Sequence, residues 1–196
     1  LDADARILST DADGPRHLNV ACGEWTSWHG VPAMFFRNDF SEAYKYSRGL
    51  AQWAREHVRD FDVVHIHAVL SHAPLAAAAA CRRAGVPYVV RPLGTIAEWS
   101  LERKAWRKRV LMTLGARAML RSAAAIHCTS EDERKDAERT LDLTQGVVIP
   151  LGIDPSQLSQ ATMTTADRMR DPYVLVLSRL HPKKNLDTLI DACRVL

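Results

Sequence analysis

Residues 61–90 contain a strand, a helix and a second strand joined by short connections, and no other part of the sequence constrains the fold as strongly. Residues 61–67 form a short apolar run rich in β-formers, which is typical of a buried strand. Residues 73–84 predict a helix, which Gly85 ends just before a second apolar run at residues 88–90. Two strands that are joined in this way through a helix lie parallel in one sheet.

The same alternation continues on both sides of this unit. Further strands are predicted at residues 5–10, 31–36, 124–128, 147–149 and 173–177. Helices are predicted from Ser41 as N-cap through Val58, over residues 98–122 and 132–141, and from Leu186 onwards. The sequence therefore predicts an α/β protein built on a Rossmann-like parallel sheet.

Composition excludes several other classes of protein. No apolar run approaches the roughly 20 residues that a membrane-spanning helix needs, and the N-terminus lacks the basic and then apolar order of a secretory signal. The four cysteines are scattered without paired spacing, which argues against a zinc site and a disulfide framework and favours a reducing cytoplasm. A net charge of +3 is too mild to indicate nucleic-acid binding by itself.

Two basic residues, Arg179 and Lys184, lie in the turn between the predicted strand at residues 173–177 and the helix that follows. Open α/β sheets bind ligands at the carboxyl ends of their strands. A guanidinium can hold phosphate oxygens in a bidentate fork, and the ammonium and the helix N-terminus add positive charge. The turn therefore suits a phosphate or diphosphate, although a solvated basic turn that only caps the sheet explains the same residues.

Six segments of the chain match, in order, the landmarks of one enzyme family. The segments are residues 62–67, 84–90, 91–95, 127–131, 148–154 and 177–186. They resemble glycosyltransferases of family 4, whose second domain often carries an Arg-Leu-x-Pro-x-Lys-Gly/Asn pattern, matched here from Arg179 to Asn185. The resemblance implies the GT-B fold, in which two Rossmann-like domains face a cleft.

The resemblance implies an enzyme that transfers a sugar from a nucleoside-diphosphate sugar to a glycan or lipid-linked acceptor, with retention of anomeric configuration. Cell-envelope or exopolysaccharide synthesis is the expected setting. Arg179 and Lys184 match the residues that bind the donor diphosphate, and the family generally needs no metal and no further cofactor. The sequence also lacks a plain carboxylate pair of the kind that a hydrolase uses as acid and nucleophile. A non-catalytic Rossmann-like module that binds a nucleotide or a protein is the alternative interpretation.

The resemblance also implies how the chain is divided. Residues 1–155 correspond to the acceptor-side domain without the family's first strand and glycine-rich loop, residues 156–171 to a linker, and residues 172–196 to the start of the nucleotide-sugar-binding domain. On this interpretation the family's paired glutamates lie beyond the chain. We therefore expect a fragment of an active parent enzyme that is inactive by itself and that oligomerises or exchanges segments between copies.

His65 and His67 alternate along the predicted strand at residues 61–67, so their side chains project to one face. The resemblance implies that His67 faces the transferred sugar, where an imidazole could bind a hydroxyl or stabilise developing charge. His65 is a further candidate for the substrate cleft. A core histidine bonded to a backbone carbonyl is the alternative for each, and a metal site is the weakest interpretation.

The remaining candidates for the substrate cleft are Gly94, Ser130, Glu131, Gly152 and Asp154. Leu93 stands where many family members have a histidine, so the role of that histidine does not carry over to this chain. Ser130 begins a predicted helix, and capping that helix is the alternative to contact with the acceptor.

Residues 98–121 predict a basic amphipathic helix, which either contacts an anionic membrane from the cytoplasm or presents a solvated charged face above the core. Membrane contact would suit a lipid-linked acceptor on the inner face of the plasma membrane. No aromatic interleaving accompanies the charge, so we expect no nucleic-acid binding.

Overall fold

The computed structural model describes residues 3–40, 44–95, 115–152, 173–178, 180 and 184–195. The chain divides into two compact units, Leu1–Leu151 and Gly152–Leu196. The predicted linker at residues 156–171 and most of the predicted basic helix at residues 98–121 lie outside the described residues.

The first unit alternates strands and helices as the sequence predicts. Its strands are β1 (Ile7–Thr10), β2 (Ala12–Asp13), β3 (Arg16–His17), β4 (Trp25–Trp28), β5 (Val31–Phe36), β6 (Val64–His67), β7 (Tyr88–Arg91), β8 (Ala125–Cys128) and β9 (Gly146–Val148). Its helices are α1 (Arg48–His57), α2 (His72–Ala84), α3 (Arg117–Arg121) and α4 (Glu131–Leu141). A single 3₁₀ turn, Val58–Asp60, follows α1.

Strands β6, β7, β8 and β9 form a four-stranded sheet in that spatial order, and all of its pairs are parallel. Ile66 pairs with Val90, which pairs with Ile126 on the next strand. This arrangement confirms the predicted α/β class with a Rossmann-like parallel sheet. Residues of α2, α3 and α4 pack with Ile66, Val90 and Ile126 in one buried cluster, so these helices cover the same face of the sheet.

The main core lies between that face and the helices. Its fully buried side chains include Val90 and Ile126 from the strands, Cys81 from α2 and Leu120 from α3. Tyr88 is also buried, and its hydroxyl donates a 2.7 Å hydrogen bond to the carbonyl oxygen of Met119. The buried polar atom is therefore satisfied inside an otherwise apolar layer.

A second sheet has the order β1-β5-β4, with β1 parallel and β4 antiparallel to β5. Met34 and Phe36 of β5 form a small core with Leu50 of α1. Strand β4 was not expected from the sequence. Trp25 on this strand packs edge-on against Trp53 of α1, with ring centroids 5.9 Å apart. A short hairpin of β2 and β3 completes the unit.

Helix ends follow local chemistry. Gly85 ends α2 in a left-handed conformation with φ of 75°, as predicted, because glycine has no Cβ to oppose it. Helix α1 is capped by Ser47, whose hydroxyl oxygen accepts from the N–H of Leu50 at 3.3 Å. The predicted cap, Ser41, lies outside the described residues, but residues 44–47 precede the helix, so the predicted start is corrected to Ser47.

The second unit contains helix α5 (Leu186–Val195), as the apolar spacing predicts. Residues 173–177, which the sequence predicts as a buried strand, form no strand, and Leu177 is 95% exposed. A strand needs a neighbour to satisfy its backbone groups. The described residues of this unit supply no such neighbour, which accounts for the difference.

Candidate functional site

The carboxyl ends of the parallel strands bring several predicted site residues together. His67 ends β6 and Arg91 ends β7, and the two are direct partners in the register. Ligands of open α/β sheets bind at this edge. The edge formed by β6, β7 and β8 is therefore the candidate site.

Four side chains share one face of the sheet, and we call His65, His67, Arg91 and His127 the histidine face. Successive residues of a strand point to opposite faces, so these four lie opposite the buried Ile66, Val90 and Ile126. The rings of His65 and His67 have centroids 4.5 Å apart. The rings of His65 and His127 are stacked at 5.3 Å. The three imidazoles therefore form one contiguous group.

The hydrogen-bond partners of His127 define which of its ring nitrogens carries a proton. Its Nε2 lies 2.8 Å from the carbonyl oxygen of Ile149, which can only accept, so Nε2 carries a proton. Its Nδ1 lies 3.3 Å from Nε2 of His65. When both rings are neutral, His65 therefore donates from Nε2 to His127 and keeps a lone pair on Nδ1. Sequence reasoning missed His127, because the cross-strand register that brings it to His65 is not readable from local pattern.

Positive charge and burial act in the same direction on this face. Burial lowers the pKa of His65, and the neighbouring His67, His127 and Arg91 lower it further. Burial likewise lowers the pKa of His67, with Arg91 and His127 adding to the effect. The pKa of each lies below its usual value, so both rings are neutral near pH 7, and both residues remain exposed to solvent. The Nε atom of Arg91 is buried and has no hydrogen-bond partner among the described residues.

Backbone strain marks the same edge. Ala68, directly after β6, has φ of 70°, and Leu93, two residues after β7, has φ of 57°. A positive φ of this size costs residues other than glycine about 1–2 kcal/mol. Gly94 follows with φ of 68°, and Thr95 closes the turn by donating from its hydroxyl to the carbonyl oxygen of Pro92 at 2.6 Å. Positive φ also occurs at His29, Lys45, Asp142 and Asn185, so these values mark sharp turns after β6 and β7 and do not by themselves assign the site.

The start of α4 is attached to the turn at Gly94. The Glu133 carboxylate accepts from the Gly94 N–H at 3.1 Å, and from the N–H and hydroxyl of Thr129 at 2.8 and 3.0 Å. Ser130 caps the helix, because its hydroxyl oxygen accepts from the N–H of Glu133 at 3.2 Å. Glu131 forms an exposed ion pair with Arg134. Glu133 was not predicted, although the Ser-x-x-Glu spacing from Ser130 is the known capping pattern.

A second polar centre lies at the carboxyl end of β1 and β5. The buried Asp11 carboxylate accepts from the Asn38 N–H at 2.7 Å and from Arg37 at 3.3 Å, and lies 3.0 Å from Nδ1 of His17. Burial raises the pKa of Asp11, but the bonds from Asn38 and His17 and the charges of His17 and Arg37 outweigh it, so the net pKa is lowered. Each visible partner is structural, so Asp11 anchors the loops after β1 and β5.

The remaining predicted site residues belong to the second unit or lie outside the described residues. Lys184 is exposed in the second unit, and Gly152 is the last described residue before residue 173. Asp154 and Arg179 lie outside the described residues. Among the described residues, no three His, Cys, Asp or Glu side chains are arranged to hold a metal ion. The described residues also contain no helix with the length and apolarity that crossing a membrane requires.

Comparison with known proteins agrees with this architecture. The family model described as Glycosyl transferase 4-like domain matches residues 1–152, which is most of the chain and includes the whole histidine face. A search of curated proteins finds no match. The family match confirms the resemblance to glycosyltransferases of family 4 that the ordered motifs indicate. The chain therefore belongs to the family of glycosyl transferase 4-like domains.

Proposed function

We propose that the protein transfers a sugar from a nucleoside-diphosphate sugar to a glycan or lipid-linked acceptor, with retention of anomeric configuration. The observation that carries the proposal is the position of His67, at the carboxyl end of β6 and opposite Arg91. The strained Ala68 follows it directly, which fixes where the strand ends. Membership of a glycosyltransferase family supports sugar transfer as the reaction at this edge.

His67 is suited to act as a neutral hydrogen-bonding group on the sugar. Its pKa is lowered by burial and by the charges of Arg91 and His127, so the ring carries one N–H donor and one acceptor nitrogen near pH 7. Its ring makes no hydrogen bond within the described residues. A preorganised donor that is free to meet the substrate can stabilise charge as the glycosidic bond breaks.

The departing diphosphate is assigned to Arg179 and Lys184, on the strength of the sequence motif. A guanidinium and an ammonium beside a helix N-terminus would stabilise the negative charge of the leaving diphosphate, which is the largest charge that develops in the reaction. The proposal includes no metal and no cofactor besides the donor. A role in cell-envelope or exopolysaccharide synthesis, with the basic segment at residues 98–121 touching the cytoplasmic face of the membrane, belongs to the same proposal.

The test is a transfer assay with a panel of nucleoside-diphosphate sugars, using the protein that carries this chain. Replacing His67 with Ala should lower kcat by about 100-fold with little change in KM, because the lost interaction is made mainly in the transition state. His57→Ala is the matched control, since the His57 side chain is partly exposed and, among the described residues, contacts Asp60 and the Trp53 ring away from this edge. An unchanged kcat in His67→Ala would remove His67 from the mechanism. Nucleotide binding without any transfer would favour the non-catalytic module.

A further inference from the structure

The histidine face carries positive charge that the described residues do not neutralise. The three charged or ionisable neighbours that act on His65 are His67, His127 and Arg91, and all three disfavour its protonation. No ion pair of the described residues involves Arg91, and its buried Nε lacks a partner. A buried guanidinium nitrogen without an acceptor is costly, so an arrangement in which Arg91 turns its guanidinium toward the acceptor oxygens of a ligand would be favoured.

The hydrogen bonds of His127 determine what this ligand must bring. Because His127 donates from Nε2 to the Ile149 carbonyl, its Nδ1 is free to accept the proton that His65 presents from Nε2. His65 then offers only a lone pair on Nδ1 while it is neutral. One added proton on His65 turns that nitrogen into a donor without breaking the bond to His127. An anion therefore binds best when His65 takes up one proton.

The spacing of the donors favours a group with several oxygens. Arg91 lies on the strand next to His67, and neighbouring strands are about 4.8 Å apart. A carboxylate has two oxygens, whereas a phosphoryl group presents three that can meet the Arg91 fork and two imidazole donors together. The chemistry of the face therefore matches a phosphoryl dianion better than a carboxylate.

We propose that the histidine face, His65, His67, Arg91 and His127, binds a phosphoryl group of a substrate and takes up one proton on His65 as it does so. The assignment to a substrate rests on the proposed function: the phosphoryl group is either the one that joins the donor's diphosphate to the sugar that His67 contacts, or the phosphate of a lipid-linked acceptor. The binding itself does not depend on sugar transfer.

Sulfate is the first probe, because it stays a dianion while the histidines titrate. Its affinity for the chain is measured by calorimetry in two buffers of different ionisation enthalpy, between about pH 6 and about pH 8. Because binding takes up one proton, the affinity for sulfate should fall about tenfold for each unit of pH above the pKa of His65 in the free protein. Binding without proton uptake, or binding independent of pH, would overturn the proposal even if no variant folds.

Variants locate the site. Arg91→Gln should weaken sulfate binding by about 10- to 100-fold, since it removes charge-assisted hydrogen bonds, and Arg91→Lys should recover part of the loss. Arg16→Gln is the matched control, because Arg16 is exposed on the separate β2–β3 hairpin and loses the same charge. His65→Gln should remove the pH dependence. Equal affinities in Arg91→Gln and Arg16→Gln would refute the site.

Competition then identifies the source of the phosphoryl group. Displacement of sulfate by uridine diphosphate supports the donor, and displacement by a short isoprenyl phosphate supports a lipid-linked acceptor. If neither competes, sulfate is an adventitious ion only and the substrate assignment fails. Sugar transfer that persists while sulfate binding shows no proton uptake would refute this inference and leave the proposed function standing.

Discussion

Removing the Glu133 carboxylate should destabilise the first unit far more than removing its neighbour Glu131. Glu133 accepts three hydrogen bonds, from the Gly94 N–H and from both donors of Thr129. A bond to a charged acceptor contributes about 1.5–3 kcal/mol when shielded from water. Glu133 is only half-buried, so water offsets much of this sum, and we expect Glu133→Ala to lower the free energy of unfolding by about 2–3 kcal/mol.

The control makes the same chemical change two residues earlier, in the same first turn of α4. Glu131→Ala removes an exposed ion pair with Arg134, which water screens, and a favourable interaction with the helix dipole that Glu133→Ala removes as well, so we expect a much smaller loss of stability. Urea unfolding followed by circular dichroism measures both variants, and amide exchange at Gly94 reports the lost attachment directly. A difference between the two variants below about 0.5 kcal/mol, with Gly94 still protected, would refute the role assigned to Glu133.

Three further outcomes are expected. The pKa of Asp11 is lowered in the folded state, so the ionised carboxylate stabilises the fold fully above the unfolded pKa of about 4 and loses this effect as pH falls through the folded pKa. Asp11→Asn should therefore have a smaller free energy of unfolding at neutral pH. Urea unfolding at a series of pH values should show that acidification lowers this free energy less in the variant than in the unchanged protein. Gly85→Ala should lower the free energy of unfolding by about 1 kcal/mol, since φ is 75° although nothing crowds the added methyl, and thermal melting checks it. Burial raises the pKa of Cys81 and Cys128 to about 11, so a thiol reagent should label only the other two cysteines until denaturant is added, as mass spectrometry would show.

The regular part of the fold follows from patterns that lie close together in the sequence. Strands β6 and β7 and helix α2 were predicted to within a few residues, because apolar runs and Gly85 mark them locally. Strand β4 was missed, since its four residues, Trp-Thr-Ser-Trp, do not alternate apolar and polar side chains. The start of α1 was misplaced because Ser41 and Ser47 are equally good caps until the tertiary structure places one of them beside a free N–H.

The same distinction holds for the candidate site, where features set by local pattern were predicted and contacts set by the cross-strand register were not. The shared face of His65 and His67 follows from the period of a strand and was predicted. His127 was not, since it meets His65 across 62 residues of sequence through a register that only the assembled sheet defines. The hydrogen bond from the Gly94 N–H to the Glu133 carboxylate was missed for a related reason, because the two residues are 39 positions apart in the chain. Local pattern thus predicts which strand bears a side chain, and the register decides what that side chain touches.

Each strand of the β6–β9 sheet pairs with the next strand along the chain. Ile66 is separated from its partner Val90 by about two dozen residues, and the entropy of closing a loop grows only with the logarithm of its length. The sheet can therefore be extended at one edge during synthesis, with each new strand docking on the strand made just before it. No pairing has to wait for a distant segment, so the histidine face is complete once β8 has docked.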